Sequence, residues 1–256
     1  LGPLLFVVYI NDLPDRIHPS SAYLFADDLK IFNAIYDNND CISLQQDINS
    51  AYEWTTTSLL RFHPDKCKSM RIGTSKIPKH EYTLGPDHTK LCETFAEKDI
   101  GVTIDNRLNF EKHMSEKIKK ANSVMGIIRR AFDFLDQSTF LILYKSLVRP
   151  HIEYANQVWC PYLKKHILQL ENVQRRATKQ IPGIRDLSYK ERLRTLNLPT
   201  LAYRRLRGDM IEMFKILSGI YDTSVADFIK LRDSGIIGHK YKIYKEGLRR
   251  ANFVVL

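Results

Sequence analysis

Residues 22–33 read Ala-Tyr-Leu-Phe-Ala-Asp-Asp-Leu-Lys-Ile-Phe-Asn, and the interpretation of the first part of the chain depends on this stretch. Two short apolar and aromatic runs flank a two-residue acidic break at Asp27 and Asp28. Runs of this kind predict a β-hairpin, in which a tight turn joins two strands. Aspartate is tolerated in turns, although two aspartates without a glycine are unusual there. The sequence therefore predicts two carboxylates at the tip of a hairpin.

Neighbouring carboxylates repel each other, which costs free energy unless a cation lies beside them. Mg²⁺ is the natural cation, because it takes oxygen ligands and keeps open positions for phosphate oxygens. Two such ions can stabilise the attacking and leaving oxygens of a phosphoryl transfer. The alternative is that Asp27 and Asp28 are ordinary turn residues without a ligand. The pair by itself does not separate these readings.

The rest of the first part of the chain mixes helices and strands up to about residue 106. A helix is favoured for residues 4–13, and a second helix is predicted for residues 40–54. Strands are predicted for residues 67–72 and 99–104, the latter from its alternating apolar side chains. This mixture predicts an α+β fold.

From residue 111 onward, apolar residues recur at intervals of three and four, which is typical of amphipathic helices. The predicted helices cover residues 111–132, 138–149, 164–181, 188–196 and 200–218. Pro150 is expected to end the second of them, because proline lacks a backbone donor. The pattern weakens after residue 220. The second part of the chain is therefore predicted to be all-helical.

The net charge of +10 is distributed unevenly along the chain. Residues 1–106 carry 10 Lys and Arg against 15 Asp and Glu, whereas residues 107–215 carry 22 against 10. An acidic part that is able to hold metal ions, followed by basic helices, is what an enzyme acting on nucleic acid needs. A solvated basic surface explains the charge equally well when charge alone is considered.

The composition does not indicate a membrane protein or a secreted, disulfide-rich protein. No apolar run approaches the roughly 18 to 20 residues of a membrane-spanning helix, and no basic stretch precedes the run at residues 4–10 as it would in a signal peptide. The four cysteines are too far apart for a zinc knuckle, and they do not indicate a disulfide framework. The expectation is an intracellular protein, nuclear or cytoplasmic, that has no membrane partner.

Several segments resemble the reverse transcriptases of non-LTR retrotransposons of the jockey and chicken-repeat type. Phe25-Ala26-Asp27-Asp28 is similar to the F-A-D-D box of these enzymes. Residues 1–13 resemble the segment that follows their template-contacting glycine box. Residues 62–68 resemble the next palm motif, and residues 99–105 resemble the hairpin that grips the primer end. Residues 143–159 and 171–209 are similar to the thumb and to the region beyond it.

The resemblance covers roughly residues 1–220 and implies a division of the chain. Residues 1–106 would form a partial palm, with an antiparallel hairpin and sheet packed on helices. Residues 107–185 would form a helical thumb, and residues 186–220 a basic helical extension. Residues 221–256 are expected to be a poorly ordered tail.

The resemblance also implies roles for single residues of the partial palm. Asp27 would bind two Mg²⁺ ions, with Asp28 as a weaker ligand, and Lys66 would act near the triphosphate of the incoming nucleotide. Phe25 would lie close to the primer end, and Gly101 would let the backbone approach the primer. The alternatives are core packing for Phe25, an exposed loop lysine for Lys66 and an ordinary strand glycine for Gly101.

Two clusters of basic residues on the predicted helices are candidates for contact with the phosphates of nucleic acid. The clusters consist of Arg175, Arg176 and Lys179, and of Arg204, Arg205 and Arg207. A solvated helix face would explain either cluster alone. The strong positive charge of the whole region favours phosphate contact.

The resembled enzymes carry out RNA-directed DNA synthesis from an RNA template, a DNA primer or target and deoxynucleoside triphosphates. Their third carboxylate, their fingers and any endonuclease are expected upstream of Leu1. The chain by itself is therefore not expected to polymerise DNA. Two alternatives remain open: a nucleic-acid-binding module with a vestigial hairpin, and an inert remnant of a decayed element.

Overall fold

The computed structural model describes residues 1–73, 80–221 and 252–255. The chain combines helices with small β-sheets, as expected for an α+β fold. It forms two compact units, and the division lies between Leu108 and Asn109. The strand at residues 252–255 belongs to the first unit, and the helices from residue 111 onward belong to the second.

The helices of the described residues are α1 (Gly2–Ile10), α2 (Asn38–Thr57), α3 (Glu111–Ala131), α4 (Gln137–Leu143), α5 (Arg149–Glu153), α6 (Asn156–Trp159), α7 (Lys164–Thr178), α8 (Tyr189–Thr195) and α9 (Leu201–Leu217). The strands are β1 (Ser21–Phe25), β2 (Asp28–Ile35), β3 (Lys68–Ile72), β4 (Thr83–Leu84), β5 (Thr89–Lys90), β6 (Cys92–Glu93), β7 (Ala96–Asp99), β8 (Val102–Asp105) and β9 (Asn252–Val255). No helix in these parts of the chain is long and apolar enough to cross a lipid bilayer.

The largest sheet of the first unit has five strands in the order β1-β2-β9-β3-β6. β9 pairs antiparallel with both β2 and β3, so it lies between them. β9 belongs to the segment that was expected to be a poorly ordered tail, and its Asn-Phe-Val-Val sequence favours a strand. The remainder of that predicted tail, from residue 222, lies outside the described residues.

α2 packs against β2 through one apolar face, on which Leu44, Ile48 and Ala51 are buried. The helix begins earlier than predicted because Asp37 caps it. The Asp37 carboxylate accepts hydrogen bonds from the first turn, and Asp40 accepts one from the backbone N–H of Asp37 in return. Such a capping box satisfies the free amides of the helix start.

A buried carboxylate on α2 fixes the path of the chain into β1. Asp47 is only 2% exposed, and it accepts hydrogen bonds from the backbone N–H groups of His18 at 3.0 Å and Ser20 at 2.9 Å. Hydrogen bonds to an ionised acceptor are stronger than neutral ones. The start of the β1–β2 hairpin is therefore anchored to α2.

Residues 99–104 form part of a hairpin, so the prediction of one continuous strand is wrong. Asp99 pairs with Val102 across a two-residue turn of Ile100 and Gly101. The φ angles of these two residues are +40° and +80°, and tight hairpin turns of this kind require positive φ at both positions. The alternating apolar residues are typical of a strand, but Gly101 lies in the turn.

The second unit is helical throughout its described residues, but the helix predicted for residues 138–149 does not stop at Pro150. α4 continues through a π-helical turn at Tyr144–Val148 into α5, and Pro150 lies in the first turn of α5. Proline is tolerated there because the first amides of a helix need no partner within it. Residues 109–221 belong to one unit, without a division at residue 185.

Candidate active site and nucleic-acid surface

The β1–β2 hairpin is confirmed, but its turn is shifted by one residue from the prediction. Phe25 pairs with Asp28, so the loop residues are Ala26 and Asp27, and Asp28 begins β2. Ala26 has a φ of +54°, a left-handed conformation that favours glycine but that tight hairpin turns need at this position. Both carboxylates lie at the tip and are exposed.

A cleft of about 670 Å³ lies beside this tip. Asp27, Asp28 and Lys66, the three residues predicted for catalysis, all line it. Further lining residues come from α2, from β2, β3 and β7, and from the loop that joins α2 to β3. The first unit thus brings together residues that belong to two separate motifs of the sequence.

Two ion pairs connect β7 to the strands that form the wall of the cleft. Lys30 on β2 lies 2.6 Å from the carboxylate of Asp99, and Lys68 on β3 lies 2.8 Å from that of Glu97. The hydrogen bond that Lys68 donates to Glu97 raises the pKa of Lys68. Both pairs are partly exposed, so their contribution to stability is modest. They nevertheless hold the β7–β8 hairpin beside the F-A-D-D hairpin.

Five other charged side chains of the cleft have no such partner. Across the described residues, no ion pair joins Asp27 or Asp28 to a basic side chain, and Arg61 and Lys66 have no acidic partner. The cleft therefore presents two uncompensated carboxylates to a ligand, together with three uncompensated cations, Arg61, Lys66 and Lys98.

Phe25 and Gly101, which were expected to act near the primer, do not line the cleft. Phe25 is 58% exposed, which does not fit the alternative of core packing. Its neighbour on the same face of β1, Tyr23, stacks on Phe32 at 5.1 Å between ring centroids. Gly101 lies in the β7–β8 turn and does not line the cleft.

The predicted basic cluster on α7 lies at the surface of the helical unit. Arg175, Arg176 and Lys179 are all exposed. The guanidinium of Arg175 lies 4.4 Å from the ring centroid of Tyr189, a distance at which an aromatic face attracts a cation. This contact helps to order the Arg175 side chain and leaves the charge accessible.

The cluster on α9 differs, because only one of its three arginines, Arg207, is exposed and makes no ion pair or hydrogen bond in the described part of the chain. Arg204 donates two hydrogen bonds to the carboxylate of Glu153, at 2.5 and 3.0 Å. Arg205 is 4% exposed, and burial lowers its pKa. Helical spacing turns Arg205 inward, so the surface position expected for it is wrong.

A buried polar network fixes α7 relative to α8 and α9. Gln174 accepts a hydrogen bond from the hydroxyl of Tyr144 at 2.7 Å and donates to the hydroxyl of Tyr189 at 3.0 Å. Glu171 accepts hydrogen bonds from Tyr189 and from the first amides of α9. A carboxylate at a helix start is favourable because the helix dipole is positive there. Hydrogen bonds on the buried side of α7 thus hold its exposed face in place.

Three curated proteins that are similar to this chain are RNA-directed DNA polymerases by name. The chain is 25% identical over 194 residues to the probable RNA-directed DNA polymerase from transposon X-element of Drosophila melanogaster, across 72% of this chain and 21% of that protein. It is 25% identical over 211 residues to the corresponding polymerase from transposon BS of the same species, across 77% and 23%. It is 22% identical over 198 residues to that of mobile element jockey of Drosophila funebris, across 72% and 21%.

The chain is similar to RNA-directed DNA polymerases of non-LTR retrotransposons. The family resemblance that the motifs indicated is thereby confirmed. The chain spans about a fifth of the length of these curated relatives. No protein-family model and no solved structure matches it.

Some basic residues in the cleft and on the surface of the helices lie outside the polymerase motifs. Arg61 lines the cleft, although it precedes the motif that contains Lys66. α3 also carries exposed basic residues, namely Lys112, Lys119, Lys120, Arg129 and Arg130. The positive charge of residues 107–215 indicated a basic region that includes these residues of α3. It did not identify them individually, because total charge does not show which side of a helix faces solvent.

The donor chemistry at the hairpin tip fits a hydrated divalent cation. Asp27 and Asp28 offer carboxylate oxygens, which Mg²⁺ prefers, and the ion commonly keeps several waters when one or two carboxylates bind it. The residues that the structure describes contain no group of three or more His, Cys, Asp or Glu side chains placed to hold a metal ion. A site for two ions therefore needs ligands in addition to these.

Proposed function

We propose that this chain is the part of an RNA-directed DNA polymerase that carries the F-A-D-D carboxylates and a nucleic-acid-binding helical unit. The observation that supports this most strongly is the common cleft of Asp27, Asp28 and Lys66. Two carboxylates and a lysine are the side chains that a nucleotidyl transfer needs for a metal and for a phosphate. The names of the relatives support the same reaction.

In the proposed reaction the 3′-hydroxyl of a DNA primer attacks the α-phosphate of a deoxynucleoside triphosphate, and pyrophosphate leaves. Asp27 and Asp28 would hold Mg²⁺, which when bound neutralises charge on the phosphate oxygens. Lys66 would supply positive charge or a proton to the leaving phosphates. The exposed ring of Phe25, on the strand that leads to the turn, would lie at the primer end, and the β7–β8 turn with Gly101 would contact the primer backbone.

The helical unit would hold the RNA template and the DNA primer or target through their phosphates. Three residues are best placed for this, because they are exposed at the C-terminal end of α7, namely Arg175, Arg176 and Lys179. Arg207 is a further candidate on α9. Arg204 and Arg205 have no part in this proposal, since one is paired with Glu153 and the other is buried.

A nucleic-acid-binding module without catalysis is the second candidate. It is favoured by one observation, the absence of a third metal-ligating side chain near the hairpin tip in the described residues. In that case the basic helices would bind RNA or DNA, and Asp27 and Asp28 would have no ligand. The two candidates differ in whether the hairpin tip binds a divalent cation.

Binding of Mn²⁺, a paramagnetic substitute for Mg²⁺, by the 256-residue chain tests this difference. We expect weak binding, detected by electron paramagnetic resonance, that Asp27→Asn weakens by about tenfold, because one of two carboxylate ligands loses its charge. Asp65→Asn is the matched control, since Asp65 is exposed and does not line the cleft. Equal Mn²⁺ binding by the Asp27→Asn variant and the parent chain would favour the module without catalysis.

A further inference from the structure

Arg61 is a basic residue of the cleft to which neither the motifs nor the relatives give a role. It lies in the loop between α2 and β3, on the lining of the same cleft as Asp27 and Lys66. The side chain is exposed, and no acidic partner for it occurs in the described part of the chain. Lys30 and Lys68, by contrast, are paired with Asp99 and Glu97. The charge of Arg61 is therefore available to an anion.

The local backbone explains why Arg61 stays at the edge of the cleft. Phe62 packs against the apolar core of the first unit, and this contact anchors the loop. Next in the chain, a short 3-10 helix spans Pro64–Lys66, and the backbone N–H of Lys66 donates to the carbonyl of His63 at 2.9 Å. This compact turn brings Arg61 and Lys66 to one cleft although five positions separate them in the sequence.

From this arrangement we infer that Arg61 binds the phosphate groups of a polyphosphate ligand in the cleft, together with Lys66. The inference rests on the proposed function and names a second phosphate-binding residue for it. A guanidinium suits this role because its planar N–H groups match two phosphate oxygens at once. Under the proposed function the polyphosphate is the triphosphate of the incoming nucleotide.

The charges of the cleft give the inference a distinctive consequence. Asp27 and Asp28 repel a polyphosphate when no cation neutralises them, whereas Arg61, Lys66 and Lys98 attract it. Replacing both aspartates by asparagine should therefore strengthen metal-free binding of inorganic triphosphate. In that background the contribution of Arg61 can be measured without any metal.

The test is isothermal titration of inorganic triphosphate into the Asp27→Asn, Asp28→Asn chain in EDTA. Adding Arg61→Gln should weaken binding by about tenfold or more, which is the usual effect of losing a charge-assisted hydrogen bond. Arg61→Lys should give an intermediate loss, because it keeps the charge and loses the planar fork. Arg16→Gln is the matched control, since Arg16 is exposed on the same unit outside the cleft, and it should bind like the parent.

Triphosphate affinity that is equal in the Arg61→Gln and Arg16→Gln variants would overturn the inference. So would a loss that appears with a single-stranded oligonucleotide and not with triphosphate, since Arg61 would then contact a nucleic-acid backbone. The outcome is independent of the Mn²⁺ experiment. If Asp27→Asn leaves Mn²⁺ binding unchanged, the proposed function loses its support while the metal-free titration still decides the role of Arg61.

Discussion

At the scale of single residues, His113 in the helical unit has an unusual environment. Its side chain is fully buried, and its ring lies 5.2 Å from that of Trp159. The pKa of His113 is lowered to about 4, chiefly by burial and also by the nearby Lys117, whereas Glu116 acts in the opposite direction. A buried imidazole resists protonation because a low-dielectric interior disfavours the charged form.

This pKa predicts how the stability of the helical unit depends on pH. Below the ordinary histidine pKa of 6.5, the unfolded chain binds a proton that the folded chain does not. The contribution of His113 to the free energy of unfolding is therefore fully present above pH 6.5 and decreases as the pH falls toward 4. Urea titrations that follow tryptophan fluorescence at several pH values should show this decrease.

The carboxylates also titrate in this range, so the prediction concerns a difference between variants. His113→Gln should show a smaller loss of stability than the parent chain between pH 6.5 and 4, even if its stability at neutral pH is lower. His88→Gln removes an exposed histidine of the first unit and should leave the pH dependence unchanged. Parallel pH profiles for His113→Gln and the parent would contradict the pKa assigned to His113.

Single residues also show how far the site follows from the sequence. The motifs predicted that Asp27, Asp28 and Lys66 act together, and the structure places all three on one cleft. Residue type and spacing did not reveal that Arg204 is paired with Glu153 or that Arg205 is buried. Both facts depend on partners from other helices, which a single stretch of sequence does not contain.

At the scale of elements, the exposed face of α7 predicts how the chain binds nucleic acid. Each phosphate contact releases counterions, so log affinity should fall with log salt by about 0.7 to 0.9 per contact. Replacing Arg175, Arg176 and Lys179 by glutamine should weaken binding of a single-stranded RNA and reduce that slope by about 2. Fluorescence anisotropy across a range of salt concentrations measures both quantities.

A variant with the same loss of charge elsewhere separates phosphate contact from net charge. Exposed basic residues of the first unit provide it, namely Arg16, Lys90 and Arg107. Their replacement by glutamine should change the salt slope much less than the α7 substitutions do. An equal reduction in slope for both triple variants would mean that α7 has no special part in binding.

Elements were predicted best where one local signal dominates. The aromatic runs around Asp27 predicted the hairpin, and the apolar spacing from residue 111 predicted α3. The single strand at residues 99–104 was wrong because alternation outweighed the turn signal of Gly101. The helix end at Pro150 was wrong because the preceding π-helical turn places this proline in the first turn of the next helix. The pairing of β9 joins segments far apart in sequence, which local patterns do not report.

At the scale of the whole molecule, the proposal requires more than this chain. The chain spans about a fifth of the length of its polymerase relatives. Transfer with two metal ions needs carboxylates that fix both ions in line with the reacting oxygens, and the described residues contain no group of three or more side chains placed to hold a metal ion. Correct positioning of the reactants alone accounts for several kcal/mol of an enzyme's barrier reduction. The purified chain is therefore expected to be inactive by itself.

Templated primer extension tests the central claim, that the hairpin carboxylates belong to a polymerase active site. The 256-residue chain alone should give no extension above background with Mg²⁺ or Mn²⁺. A fusion of the chain to the polymerase segment that precedes the matched region in the X-element relative should extend a DNA primer on an RNA template. Asp27→Asn should abolish that activity, and Asp65→Asn should leave it unchanged. Extension by the chain alone, or undiminished extension by the Asp27→Asn fusion, would contradict the claim.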